Sequence, residues 1–433
     1  MLAALGDLHW RVVRVAIVAA ILTPACIVLF WGDTLALYVG IADEGVQARF
    51  YPGPASRPGE HRVRIIETRR IVPSTGLPPG VEVSTSNNNL DATRHSDGRV
   101  YLAWRTAPDH FAGPDTAIQV VSSDDERSWR FETRIAMRTD LREPRLLSFN
   151  GSLFLYMSQL GKRRWQFEPH GVLMTEKRPD GTWSRVNPIG LPGYIAWRTR
   201  IENDRPYMSA YLGGESIYRF DGKPLHVDLL TTQDGRTWRA ADPERRSVYV
   251  GGGSEADFTL DAQGSLFAVI RNEAGDATGF GSKLCKAPAG RLAHWQCASD
   301  RRKFDSPNVF RFGHEIYVLA RRNMTPDGRY DRVGPFQLWK SIRNQLSYIT
   351  TGKRCSLWRF DRKQLRIDFV LDLPSRGDTC FPAVVHNARS DVLAVYDYSS
   401  PIDRADVPWS VGQRQPTFIY RHLLQFEPRA TSH

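Results

Sequence analysis

The sequence predicts an all-β fold, a six-bladed β-propeller, preceded by one N-terminal transmembrane helix. Three observations carry this. Residues 15–31, VAIVAAILTPACIVLFW, form an uncharged apolar run. Beyond residue 61 helical periodicity is sparse, and short runs of β-branched and aromatic residues alternate with Gly, Asp and Asn turns. These short runs also recur as a repeating unit.

Arg11 and Arg14 precede the apolar run. As a helix it would span about 25 Å, slightly less than a bilayer core. GDTLALYVGIA extends it with one charge, Asp33. Residues 1–42 therefore read as a cytoplasmic stub and uncleaved signal anchor. A signal peptide cut near Ala42, which would release the remainder, is the alternative. With the arginines inside, everything beyond about residue 43 faces outward, to a periplasm or cell surface. Cys26 is read as a membrane cysteine. Residues 43–61, DEGVQARFYPGPASRPGEH, are polar and rich in Pro and Gly, and read as a linker.

The repeat occupies residues 62–430. Its second strands are VYLAWR (100–105), LFLYMS (153–158), PYMSAYL (206–212), LFAVIR (266–271), IYVLARR (316–322) and VLAVYDY (392–398). Six multi-strand units, roughly 50 to 75 residues apart, indicate propeller blades. HRVRIIETRRIV, 61–72, is a further strand placed to pair with the last blade and close the ring. Four cysteines lie in this exported part, and an even number there points to disulfides. Cys285 and Cys297 flank a hairpin-like stretch, which leaves Cys355 with Cys380, although three connectivities are open. No CxxC occurs and the histidines are scattered, so no metal or cofactor is expected.

With 58 Lys and Arg against 47 Asp and Glu, the chain carries a net charge of +11. That favours anionic partners. Nucleic acid is excluded by the dispersed basic residues and the lack of any binding motif. The innermost strands of a propeller line its channel, so residues at one height converge. Aligned through their prolines and apolar tails, the first strands place Asp91, Glu143, Arg198, Glu255, Ser306 and Phe381 at one level. Three carboxylates would share an axis, with Arg105, Arg142, Arg198, Arg271 and Arg321 as compensating cations. Two carboxylates of separated pKa are what glycosidic cleavage uses, and arginines suit an acidic substrate.

The turns that end the third strands carry a resemblance. SSDDERSW (122–129) and TTQDGRTW (231–238) resemble the Asp-box turn of sialidases, with Glu126 where Gly is usual, and EKRPDGTW (176–183) is a degenerate version. SEADFTLDAQGSLFAVIRNE resembles the sialidase stretch in which a Glu assists a tyrosine nucleophile and an Arg grips the sialate carboxylate. The resemblance implies those roles for Glu255 and Arg271. REP (142–144) resembles the family's Arg-Ile-Pro motif, implying a carboxylate ligand in Arg142, with Arg321 or Arg322 as the third arginine. The family's tyrosine is replaced here by Phe381, with Tyr396 and Tyr398 on the next strand. Glu255 with Asp91 or Glu143 then fits a two-carboxylate mechanism better.

The expected function is a membrane-tethered, extracytoplasmic glycoside hydrolase acting on an anionic glycan. The alternatives are a non-catalytic propeller that binds glycan or protein in envelope polysaccharide assembly, and a propeller lyase or phosphodiesterase.

Overall fold

The computed structural model describes residues 59–164, 166–219, 221–325, 336–386 and 391–429. The predicted transmembrane run and the cleavage position near Ala42 lie outside these, as does most of the linker. Among the described residues no helix is long and apolar enough to cross a membrane.

Six antiparallel sheets form the blades of a propeller. Blade 1 contains β2 (Ser86–Arg94), β3 (Val100–Ala107), β4 (Ala117–Ser123) and β5 (Arg130–Ile135). Blade 2 contains β6 (Asp140–Phe149), β7 (Ser152–Leu160), β8 (Pro169–Lys177) and β9 (Asn187–Pro192). Blade 3 runs through β10 (Ile195–Glu202), β11 (Arg205–Leu212), β12 (Leu225–Thr231) and β13 (Arg239–Ala240), with β14 (Ser247–Gly251) also on β12. Blade 4 is built from β15 (Gly253–Leu260), β16 (Leu266–Asn272), β17 (Lys283–Ala287) and β18 (Gln296–Ser299). Blade 5 has β19 (Asp305–Phe312), β20 (Glu315–Asn323), β21 (Lys353–Asp361) and β22 (Arg366–Asp372). Blade 6 joins β23 (Ala383–His386), β24 (Val392–Ser399) and β25 (Phe418–Pro428) to β1 (His61–Val72) as its outermost strand. The first strand thus closes the ring on the last, in a register running from His61 opposite Pro428 to Val72 opposite Ile419.

The inner two strands of each blade are sandwiched between neighbouring blades, so both of their faces are covered. Every residue of β15, β16 and β3 is buried. Trp104, Trp197 and Trp358 are fully buried between blades. Trp129 and Trp238, which end two of the hairpin turns, pack edge-on against Tyr396 and Tyr156. Both disulfides form as paired above. Cys285–Cys297 lies in register across β17 and β18, and Cys355–Cys380 ties β21 to the segment before β23.

The long spacing between the fifth and sixth repeats has a cause that the strand pattern does not reveal. An amphipathic helix, α1 (Gln337–Thr350), is inserted between β20 and β21, and a short helix, α2 (Trp409–Gly412), follows β24. Tyr348 of α1 stacks edge-on with Trp409 of α2, so the two helices meet over one end of the ring.

Candidate active site

The register of the inner strands sets the site. A bulge interrupts each of β2, β6, β10, β15 and β19 near its start. Asn89, Glu143 and Ser306, at three of these bulges, adopt positive φ of 42°, 51° and 50°. A bulge re-aims the side chain it carries, and on β2, β6, β15 and β19 the bulged stretch faces a recess of about 100 Å³ at the channel mouth. The recess is lined by Asn89, Glu143, Glu255 and Ser306 from the inner strands and by Phe381 from the segment before β23. Arg271 and Arg321 from the second strands join them. Ile217 also lines an adjoining groove of about 590 Å³ between Lys223, Gly252, Asp276 and Leu338.

The bulges correct the alignment at two positions. Asn89, not Asp91, stands level with Glu143, and its amide donates to Glu143 Oε1 at 3.1 Å. Asp91 sits a layer deeper with Asp257. Each of these two carboxylates accepts a backbone N–H from the next blade, Leu146 at 2.9 Å and Val309 at 2.7 Å. Arg198 is also in that deeper layer. It lies 3.5 Å from Asp91 and 3.6 Å from Asp257, and donates to the carbonyls of Pro307 and Pro382. With Arg200, which grips Asp257 at 2.7 Å, they form a charge-compensated plug in the channel. Arg145 seals it from above, stacked on Phe381 and Trp197 with its guanidinium 4.4 and 4.9 Å from the ring centres. Burial, with Arg198 nearby, pushes Arg145 down to about 9. Arg105 is likewise not part of the recess lining. Fully buried, it grips Asp140 Oδ1 at 2.9 Å and the carbonyls of Asp109 and Phe111, fixing the loop after β3.

The remaining predicted residues do converge. Glu255 accepts from Arg271 Nη1 at 2.6 Å and from the backbone N–H and hydroxyl of Ser306 at 2.8 and 3.2 Å. Arg271 also pairs with Glu273 at 2.9 Å and lies 3.5 Å from Asp305. Burial would lower the Arg271 pKa, but Glu255 and Glu273 hold it well above its ordinary value. Glu143 is less committed. Besides Asn89, its neighbour is Arg145 at 3.6 Å. Burial pushes its carboxyl up to about 7 against the pull of Arg145, and the charge of Glu255 adds to the rise. Arg142, beside it on β6, pairs with Asp140 at 2.5 Å and donates to the carbonyl of His110 at 2.9 Å.

Arg321 differs from the other arginines. Its guanidinium is fixed by the carbonyls of Thr379 at 2.5 Å and Cys380 at 3.1 Å, by the Tyr348 hydroxyl at 2.9 Å, and by the Trp409 ring 5.5 Å away. Among the described residues no carboxylate lies within ion-pair distance of it, so it faces the recess as an oriented cation, with Glu255 close enough to feel its charge.

Sequence reasoning missed a further wall. His110, on the loop after β3, approaches Asp378 Oδ2 with Nδ1 at 2.7 Å. Asp378 in turn accepts from the Tyr398 hydroxyl at 3.0 Å and Trp409 Nε1 at 2.9 Å. His110, Tyr398, Trp409 and Tyr218 all line the recess. Apart from Tyr398 these residues come from loops and α2, which carry no strand periodicity to flag them.

No protein-family model matches the chain, and no curated protein is similar to it in sequence. Solved structures are similar in fold. One is a Dyadobacter fermentans protein of unknown function, with TM-score 0.56 and 15% identity over 84% of this chain and 99% of that one. Another is Trypanosoma rangeli sialidase in complex with sialic acid, with TM-score 0.51 and 12% identity over 87% of this chain and 59% of that one. A third is NanB sialidase from Streptococcus pneumoniae, with TM-score 0.51 and 11% identity over 81% and 70%. The chain therefore spans little more than half of the trypanosomal enzyme. At such identities what is shared is the architecture, and the chain is by fold a six-bladed propeller similar to those of sialidases.

Proposed function

We propose that the protein is a glycoside hydrolase acting on an acidic glycan, tethered to a membrane by residues 15–31 with its propeller outside the cytoplasm. One observation carries the catalytic reading. A carboxyl group poised to be protonated near neutrality, Glu143, shares a recess with a second carboxyl group, Glu255, bound to Arg271, and with an oriented cation, Arg321. In this reading Glu143 is the general acid that protonates the leaving oxygen. Arg321, with Arg142 and Arg271 around it, attracts the carboxylate of a uronic or sialic acid. The sialic acid bound by the trypanosomal sialidase is one such acid. The two disulfides and the apolar N-terminal run support an extracytoplasmic setting.

A second reading has support of its own. Glu255, Arg271 and Glu273 are locked to one another, as in a site that binds an acidic glycan without cleaving it. The purified protein should release fluorophore from at least one 4-methylumbelliferyl glycoside of glucuronic, galacturonic or N-acetylneuraminic acid, or shorten a uronan. Glu143→Gln should lower that rate by about 100-fold or more. Binding of these sugars with no turnover by the wild type would sink the hydrolase and leave the binder.

A further inference from the structure

Hydrolysis in the recess needs a base to deprotonate water, and the obvious carboxylate is already engaged. Glu255 accepts three hydrogen bonds, one of them from a guanidinium at 2.6 Å, so most of its roughly four lone-pair sites are already taken. His110 stands differently. Asp378 is itself fully buried and anchored by Tyr398 and Trp409, and it fixes the Nδ1 proton of His110. An imidazole protonated on Nδ1 carries its lone pair on Nε2. Two consecutive residues of β2 connect the acid and the histidine. Asn89 donates to Glu143 and the Asn88 amide lies 3.2 Å from His110 Nδ1, so the two groups occupy neighbouring parts of one wall.

We propose that His110, oriented by Asp378, is the base of the reaction, which makes this a single-displacement, inverting hydrolase. The proposal rests on the hydrolytic reading above. A water loses its proton to His110 Nε2 as its oxygen bonds to the anomeric carbon. The bond from that carbon to the leaving oxygen breaks, and that oxygen takes the proton of Glu143. Glu143 ends as a carboxylate and His110 as an imidazolium, and exchange with solvent restores both.

The charged surroundings of His110 fit this role. Asp378 faces it from the segment before β23, Arg142 from β6 and Arg105 from β3. Asp109, paired with Arg164 at 2.7 Å, precedes it on its own loop. Burial, with Arg142 and Arg105 adding to it, holds the imidazole below its ordinary pKa despite Asp378. The base is then unprotonated where Glu143, at about 7, still holds its proton. Activity falls at low pH as His110 is protonated, and at high pH as Glu143 ionises.

The test compares the wild type with His110→Gln, His110→Ala, Asp378→Asn and Glu143→Gln on the glycoside panel above, each variant checked for a thermal unfolding midpoint near that of the wild type. His110→Gln should lower kcat by about 100-fold or more with KM within a few-fold, and should remove the acidic limb of the pH profile. Azide should restore turnover to His110→Ala and give a glycosyl azide, which a merely structural histidine would not allow. Asp378→Asn should lower kcat by disordering the imidazole tautomer. Proton NMR of the first-formed product should show the inverted anomer. Wild-type rates in His110→Gln alongside an inactive Glu143→Gln, or a retained anomer, would overturn the proposal and leave the hydrolase standing. Failure of the wild type to cleave any member of the panel would overturn both.

Discussion

Arg271 and Arg321 are the same group in opposite circumstances. Arg271 is surrounded by Glu255, Glu273 and Asp305, whereas Arg321 is held by carbonyls, a phenol and an indole. A guanidinium already saturated with anions gains little from one more, so under the proposed function Arg321 is the arginine that would read substrate charge. Arg321→Met should raise KM for an acidic glycoside by about 10- to 100-fold, the worth of a charge-assisted hydrogen bond, and change the KM of the neutral analogue far less. Glu143 makes a separate prediction. Its pKa is raised on folding, so its contribution to stability is full below its unfolded value of 4.5 and is lost as pH rises through about 7. Urea unfolding of the wild type should therefore weaken across that window, Glu143 contributing on the order of 1 kcal/mol per pH unit at most, and Glu143→Gln should show a shallower slope, with Asp397, also raised to about 7, supplying part of what remains. At this scale Glu143, Glu255, Arg271 and Arg321 were legible because the inner strands repeat and prolines mark their start. Asp91 and Arg198 were misplaced because a bulge adds a residue without changing the apolar pattern. His110 was hidden because its partner Asp378 is 268 residues away.

At the scale of the element, two similar turns place different demands on one position. Gly235 has φ +72°, and a Cβ there would meet the Phe154 ring at 2.5 Å. Its counterpart in the turn of blade 1 is Glu126, also at positive φ, 57°. Glu126 sits against blade 6, where Tyr396 donates to its carboxylate at 2.7 Å and Arg421 lies 3.5 Å away. The departure from glycine at 126 is thus a polar tie between blade 1 and blade 6. Gly235→Ala should destabilise the fold by about 2 kcal/mol or more, combining backbone strain with a clash. Gly98→Ala, at φ +86° with open space around it, should show the strain alone and a smaller loss in the same urea titration. The hairpins and their turns were readable from Asp, Gly and Trp spacing, whereas the helix α1 was not, because an insertion obeys no repeat.

For the whole molecule, the fold class was the most legible feature, since six repeats report one another. Its weak point is the seam. β25 is covered on its outer edge only by β1, so removing β1 would expose a long run of unpaired backbone groups. A chain lacking residues 61–72 should aggregate or self-associate, seen as loss of the monomer peak in size-exclusion chromatography with light scattering. The same strand determines orientation. His61 lies 3.2 Å from Glu315 and edge-on to Phe312, in the hairpin turn of blade 5. Ser306 and Arg321, which border the recess, sit at the opposite end of the two strands that this turn joins. The polypeptide therefore enters the ring through its floor, with the mouth on the far side. A tether leading into His61 would reach the ring from the floor, leaving the mouth on the side away from the point of attachment and free to meet polymers arriving from the surroundings.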